Sequence, residues 1–465
     1  MDLPNLPQRL SVSSANGSRT SERTVSSGSP NSDFRGRISQ SAKRPTKRYS
    51  DVSSDGVRVR HMARFLTGGF EPAPRRFDSE ITPSELAELH ALHQSFVRSA
   101  PEVVDNHQTA FATGDDNSWM ICPDIPNDSE GPFEPRDFTL SPLGTRPVKL
   151  LAKAGVAVSN NKGNKPKPSG EDNSIGQDSL SVSFLGAWEA YGVFDGHGDM
   201  GHWPAQRAAQ SMPKHLHDVD CAKLLRQGQV EAALRLAFQN TQADLQKMSG
   251  RENVNIQSTG STATCVVRDP RVSELWVATV GDSRAALLVP GHGVVAETKD
   301  HRPTEEVERL RIEANGGEVR TTTYADGVVM HRIFALGKGY PGLCTTRTLG
   351  DLVSKSFGVT AEPEVVKWSY HEHREAYLLI ACDGIWEFME TEQVGDFLLD
   401  VLSQGGTCDE ALKMLVHCAR DQWSENEGDY CDDITAILIP LYGNLPEIEV
   451  ELVHDRECCT DCAVQ

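Results

Sequence analysis

No run in this 465-residue sequence approaches the roughly 18 consecutive apolar residues that a membrane-spanning helix needs. The first residues also lack the apolar stretch of a secretion signal. Positive charge is in deficit: 46 Lys and Arg stand against 66 Asp and Glu, a net charge of −20, which argues against a general nucleic-acid surface. The eleven cysteines form no disulfide framework, because most stand alone in apolar or helix-like stretches such as those of Cys265, Cys382 and Cys418. Reduced thiols point to the cytoplasm, ahead of the nucleus. No internal repeat is found.

What is present instead is a set of five short acidic patches spread over about 260 residues: Gln177-Asp178, Phe194-Asp195-Gly196-His197-Gly198, Thr298-Lys299-Asp300-His301, Ala381-Cys382-Asp383-Gly384 and Cys431-Asp432-Asp433-Ile434. Asp195 and Asp383 each end an apolar run, and Asp432-Asp433 opens another. A carboxylate at the tip of a buried strand is costly unless positive charge meets it. Several such tips brought together would make an all-oxygen site for a hard divalent cation. Carboxylates dominate the patches, which favours magnesium or manganese over zinc.

Around these patches the chain divides into four parts. Residues 1–80 are rich in Ser, Arg, Pro and Gly, carry 14 Lys and Arg against 8 Asp and Glu, and read as a disordered leader. Within it Lys43–Arg48 is a basic cluster, either a solvated tail or an import or acidic-partner patch. Residues 81–145 form an extension. A helix is predicted from Thr82, with Pro83 in its first turn, Glu85 closing a capping box and Leu86, Leu89, His93 and Phe96 on one face, and an irregular stretch follows over 100–145.

Residues 146–442 carry strand-like runs at Leu150–Val158, Ser179–Leu185, Trp188–Phe194, Thr262–Val267, Glu274–Val280, Ala285–Val289, Glu364–Tyr370, Ala376–Cys382 and Ile434–Leu441. Helical patterns fall at about 202–217, 229–248, 304–315, 391–403 and 407–423. Strand groups set between helix pairs suggest helices outside stacked antiparallel sheets, an α+β architecture and not a βαβ alternation. Residues 443–465 form an acidic tail.

The residue types suit a cation site with a proton-transfer group beside it. Asp195 could bridge two cations, the carbonyl of Gly196 is open to a further contact, and His197 is placed to give or take a proton. Asp178 and Asp300, taken alone, would be ordinary turn and cap residues. Asp432 and Asp433, being adjacent, repel one another unless a cation or hydrogen-bond donors offset them.

These residues resemble the metal-dependent serine/threonine phosphatases of the type 2C family. The matching stretches, in order over roughly residues 150–441, are Tyr-Gly-Val-Phe-Asp-Gly-His-Gly at 191–198, Gly260-Ser261-Thr262-Ala263, Val280-Gly281-Asp282-Ser283-Arg284, Asp300-His301-Arg302-Pro303, Glu313-Ala314-Asn315-Gly316-Gly317, Thr346-Arg347-Thr348-Leu349-Gly350-Asp351, Ala361-Glu362-Pro363-Glu364-Val365, Ala381-Cys382-Asp383-Gly384 and Asp432-Asp433-Ile434-Thr435. The resemblance implies an α-β-β-α sandwich of two antiparallel sheets flanked by helix pairs. It implies two Mg²⁺ or Mn²⁺ ions per domain held by Asp178, Asp195, Gly196, Asp383 and Asp432, with a weaker third at Asp300.

The resemblance further implies that His197 is the general acid, that a water activated by the cations attacks phosphorus, and that 316–345 is a substrate-facing flap with its tip at Tyr324–Gly327. Cys382 is then a packing residue. The family's phosphate-gripping arginine before Asp178 is missing, and Lys162 or Lys165 is expected to supply that charge. Phosphoproteins are the expected partners of a monomeric enzyme. A non-catalytic phosphoprotein-binding relative and a membrane-tethered scaffold are the alternatives.

The last four residues, Cys462-Ala463-Val464-Gln465, fit a prenylation pattern, with Cys458 and Cys459 as possible palmitoylation sites and peripheral membrane association as the consequence. A Cys-rich tail without a lipid, or one that binds metal, remains open at this point.

Overall fold

Alternation along single strands dictates the layers. In Tyr377–Ala381, Leu378 and Ile380 face one way and Leu379 and Ala381 the other, and both faces are buried. Such a strand needs cover on each side. In a computed structural model of the chain, residues 118–443 are described, apart from 125, 127–130, 134–135, 137, 142–147, 167–173 and 325–328. The leader, the helix expected from Thr82, the flap tip at 325–327 and the tail with Cys458, Cys459 and Cys462 lie outside the described residues.

A seven-stranded antiparallel sheet runs in the order Glu364–Ser369, Glu274–Val280, Ala263–Arg268, Trp188–Phe194, Ser179–Leu185, Trp119–Pro123, Phe138–Ser141. A five-stranded antiparallel sheet runs Gly293–Glu297, Arg284–Val289, Tyr377–Ala381, Ile434–Pro440, Ala157–Asn161. Leu180, Val182, Tyr191, Val193 and Val277 of the first pack against Leu287, Leu378, Ile380, Ile437 and Ile439 of the second. Helices His202–His217 and Val230–Glu252 cover the outer face of the first sheet through Met212, Leu216, Leu234 and Phe238. Helices Thr391–Ser403 and Cys408–Glu427 cover the second through Val394, Leu398, Leu412 and Leu415. Each such fully buried Leu or Ile contributes about 2 kcal/mol relative to an exposed one. The architecture is the α-β-β-α sandwich expected from the sequence.

Two expectations need correction. Leu150–Val158 is not one strand: Val148–Lys153 is helical, and the strand begins at Ala157 after a turn at Gly155, whose φ is +71°. The stretch 100–145 is not irregular throughout, since Trp119–Pro123 and Phe138–Ser141 extend the first sheet. Trp119–Pro123 is buried at every position, so it shows no polar alternation, and Asp, Asn and Pro surround it. Among the described residues no helix is long and apolar enough to cross a membrane.

Both ends of the described chain meet at one end of the sandwich. Ser118 leads into Trp119, which pairs with Phe184 near the turn at Gly186, and its hydroxyl lies 3.0 Å from His217 Nε2. Buried Arg268 donates to the carbonyls of Leu441 (3.1 Å) and Gly443, while its Nε pairs with Glu189 at 2.5 Å. Glu189 also accepts from the Tyr191 hydroxyl at 2.7 Å. The acidic strand tips at Asp195 and Asp383 lie at the opposite end of these strands.

The flap is a three-stranded sheet, Gly317–Thr323, Val329–Ala335 and Pro341–Leu343. Ile312 on helix Glu306–Ala314 packs with Ile333, Phe357 and Val359 beneath it. The same helix carries Glu308, 4% exposed, which accepts from Arg311 (2.8 and 2.7 Å), from Arg347 (2.7 Å) and from the Thr346 hydroxyl. Burial alone would raise its carboxyl, but Arg347 and Arg311 hold it well below the usual carboxylate range.

Glu308→Gln is expected to cost about 3 kcal/mol in urea unfolding at neutral pH, because two guanidiniums lose their shared charge. A depressed carboxyl stabilises above its unfolded pKa and loses that contribution as pH falls through its folded value. The gap between wild type and variant should therefore narrow below about pH 4.

Candidate active site

The acids gather at one end of the sandwich because the strands deliver them there. Asp195 follows Trp188–Phe194. Its N–H donates to the Thr262 hydroxyl at 3.1 Å, and its carbonyl accepts from the Thr262 N–H at 2.8 Å. Asp178 precedes Ser179–Leu185, Asp383 opens the short helix Asp383–Trp386, and Asp432-Asp433 precede Ile434–Pro440. Burial, then Asp383, Asp178, Asp432 and Asp282, push the Asp195 carboxyl well above its ordinary value. Burial and then Asp433 push Asp178 up to about 7, and its Oδ2 is buried with no hydrogen-bond partner.

Asp433 shows how the same neighbourhood can favour charge. Burial would raise its carboxyl, but Lys165 and the backbone N–H groups of Gln177 (2.8 Å) and Gly163 (2.7 Å) hold it low. Lys165 Nζ lies 2.6 Å from Asp432 Oδ1 and 3.2 Å from Asp433 Oδ2. Burial pulls its ammonium down, and these two acids more than restore it, holding it well above the usual lysine range. The expected phosphate-facing lysine thus binds carboxylates here, and Lys162 is 2% exposed.

Glycines make the close approaches possible. A Cβ on Gly196 would sit 2.2 Å from the Gly201 carbonyl oxygen, and one on Gly384 would sit 2.1 Å from that of Asp433. Cys382 is buried, its thiol donating to the Asp433 carbonyl at 3.4 Å and pushed up by burial, which agrees with a packing role. His197 Nε2 lies 2.7 Å from Asp351 Oδ2. Burial lowers the imidazole's pKa, but the Asp351 charge outweighs it, so the ring is raised above its ordinary value.

Asp300 stands apart. It takes two bonds from Arg284 (3.1 and 3.0 Å) and one from Arg302 Nε (3.1 Å), so an additional cation there would compete with two guanidiniums. Asp282 is the acid that joins the cluster in its place. It is 3% exposed, acts on Asp195 and on His197, and faces Arg302 at 3.9 Å. Asp282 stands in the motif Val280-Gly281-Asp282-Ser283-Arg284 and, like Asp195 and Asp383, follows an apolar strand, Glu274–Val280.

Arg136 was missed altogether. It comes from the stretch read as irregular and donates to the carbonyls of Gly176 and Asp178, both at 2.6 Å, fixing the backbone under Asp178.

The donor set is carboxylate and carbonyl oxygen, with Asp178 Oδ2 buried and unpartnered and the Asp195 carboxyl raised by burial and by its acidic neighbours. That chemistry fits hard divalent cations. Among the described residues no group of three or more His, Cys, Asp or Glu is arranged to hold an ion as it stands.

A family model described as Protein phosphatase 2C matches residues 156–428. "Probable protein phosphatase 2C 64" of Oryza sativa subsp. japonica is 29% identical over 287 residues, covering 58% of this chain and 64% of that protein, just under two thirds of its length. "Protein phosphatase ppm-1.A" of Caenorhabditis elegans is 27% identical over 390 residues, covering 74% of this chain and 79% of that one. The solved structure of serine-threonine phosphatase 2C from Toxoplasma gondii matches with a TM-score of 0.50 at 19% identity, covering 69% of this chain and 98% of that chain, a likeness of fold alone.

The cluster's balance of charge leads to a measurement. Lys165→Met leaves Asp432 and Asp433 without their ammonium. Stability in chelator should fall by about 2 kcal/mol. Manganese should restore more of the thermal midpoint in the variant than it adds to wild type. Calorimetry with and without the ion reads both.

Proposed function

The chain belongs to the protein phosphatase 2C family, and from that membership we propose that it is a metal-dependent protein serine/threonine phosphatase acting on phosphoproteins. The observation that carries the reading is the convergence of Asp178, Asp383, Asp432 and Asp282 on Asp195, a charge arrangement that asks for cations. Asp178, Asp195, Asp383, Asp432 and the Gly196 carbonyl would hold two Mg²⁺ or Mn²⁺ ions. When bound, these supply an activated water and offset charge on the phosphoryl oxygens. A binding module without catalysis has no use for so complete a set of acids.

The chain's own residues do the rest. His197, 29% exposed at its side chain, gives a proton to the departing serine or threonine oxygen. Gly384 lets the Asp383 turn lie against Asp433. Asp433, held ionised by Lys165 and two backbone N–H groups, fixes the 163 and 177 loops around Asp178. Lys165, 21% exposed, is the less buried of the two lysines, but its ammonium is held by Asp432 and Asp433, so a phosphoryl group would have to compete with them for its charge. The flap over Gly317–Leu343 faces the substrate. With Asp300 bound to Arg284 and Arg302, a weaker third cation would have to displace them.

Hydrolysis of p-nitrophenyl phosphate should require added manganese or magnesium and disappear on chelation. Asp383→Ala should lower kcat/KM by about 10³-fold or more. Turnover by the wild type without any divalent ion would overturn the reading. The tail pattern adds a proposed lipid on Cys462, with Cys458 and Cys459 as acylation sites. The intact mass of protein from its native source should then exceed that of the bare chain, and an unmodified terminus would remove the proposal.

A further inference from the structure

The motif Thr346–Asp351 supplies none of the acids assigned to cations, yet it ends inside the site. Asp351 is fully buried, and its Oδ2 lies 2.7 Å from His197 Nε2, while its Oδ1 makes no hydrogen bond. Its backbone is held in a conformation that side chains resist, with φ at +46°. What holds it there is local and specific. The Asp351 N–H donates to the Thr259 carbonyl (3.0 Å), and the next two N–H groups, of Leu352 and Val353, donate to Ile256 (3.1 Å) and Gln257 (3.2 Å).

A small sheet completes the arrangement. Its strands are Leu349–Gly350, Gly260–Ser261 and Gly196–His197, in that order. Gly260 is the central partner, opposite Gly350 on one side and His197 on the other. A Cβ on Gly260 would lie 2.1 Å from Asp351 Oδ2, so only glycine leaves room for the carboxylate to reach across to the imidazole. Two of the family-like motifs, one ending in Asp351 and one beginning at Gly260, therefore serve a single contact.

We propose that Asp351 is a positioning residue for His197: it keeps the proton on Nε2 and fixes the ring so that Nδ1 serves the leaving oxygen. The inference rests on the reading of His197 as the general acid. As the bond from phosphorus to the serine or threonine oxygen breaks and that to the water oxygen forms, the Nδ1 proton passes to the departing oxygen. The ring is left neutral with its Nε2–H still facing Asp351. The proton released by the attacking water restores the ring through solvent. An alkoxide leaving group needs this proton, and p-nitrophenolate, a far weaker base, does not.

The test uses the full chain at saturating manganese, with Asp351→Asn and His197→Ala assayed on a phosphothreonine peptide and on p-nitrophenyl phosphate. Asp351→Asn should lower kcat on the peptide by about 10²-fold, with KM and the aryl-phosphate rate changed by no more than about threefold. His197→Ala should show the same selectivity, and adding Asp351→Asn to it should cost little more. Equal losses on both substrates in Asp351→Asn, or no loss on either, would overturn the positioning role while leaving His197 its own. A His197→Ala variant without selectivity would instead strike the general-acid reading. A measurement on wild type covers the case in which Asp351→Asn does not fold. In histidine ¹⁵N spectra of the magnesium-loaded protein, His197 Nε2 should carry a proton, and a neutral ring protonated only at Nδ1 would overturn the proposal.

Discussion

Mutual repulsion among carboxylates at one end of the sandwich is the constraint that the rest of the structure answers. Burial raises the carboxyl of Asp195, and Asp383, Asp178, Asp432 and Asp282 lie close enough to raise it further. The protein meets part of that cost with its own cations. Lys165 stands against Asp432 and Asp433, and Arg302 faces Asp282. Backbone N–H groups of Gly163 and Gln177 meet the rest around Asp433. These compensations leave Asp195 and Asp178 short of positive charge. The proposed divalent ions would make up that shortage.

A second group of contacts holds the surroundings stiff. Glu308 ties helix Glu306–Ala314 to Thr346 and Arg347, at the start of the segment that ends in Asp351. Arg136 ties the sheet edge to Gly176 and Asp178. Lys355 Nζ donates to the Thr348 carbonyl at 2.7 Å and its hydroxyl at 2.9 Å, closing the same segment from the other side. Each clamp acts within five residues of Asp178 or Asp351. The site is thus built on strands and fixed turns, where small displacements are resisted.

The acids were legible in the sequence because an aspartate ending or opening a long apolar run is unusual, and Asp195, Asp383 and Asp432 each have that setting. Asp178 became visible only in company with the others. Asp282 shares the pattern, but a short Gly-Asp-Ser turn between two strands reads as an ordinary hairpin. Lys165 stands out in the sequence as a charge, but its partner Asp433 lies 268 residues away, and nothing in the sequence pairs the two. Arg136 sits among Pro, Asp and Phe in a stretch without periodicity. Strand Trp119–Pro123 is buried on both faces and so carries no alternation to read. The layered fold was legible for the converse reason: strand runs and helix pairs are local patterns that each element states for itself.

Arg268 fastens Leu441 and Gly443, just after Ile434–Pro440, to the first sheet, and Ser118 lies beside His217, so both ends of the described residues are at the pole away from the acids. A tag joined at Ser118 or at Gly443 would therefore sit at the far end of the sandwich from Asp195 and Asp383.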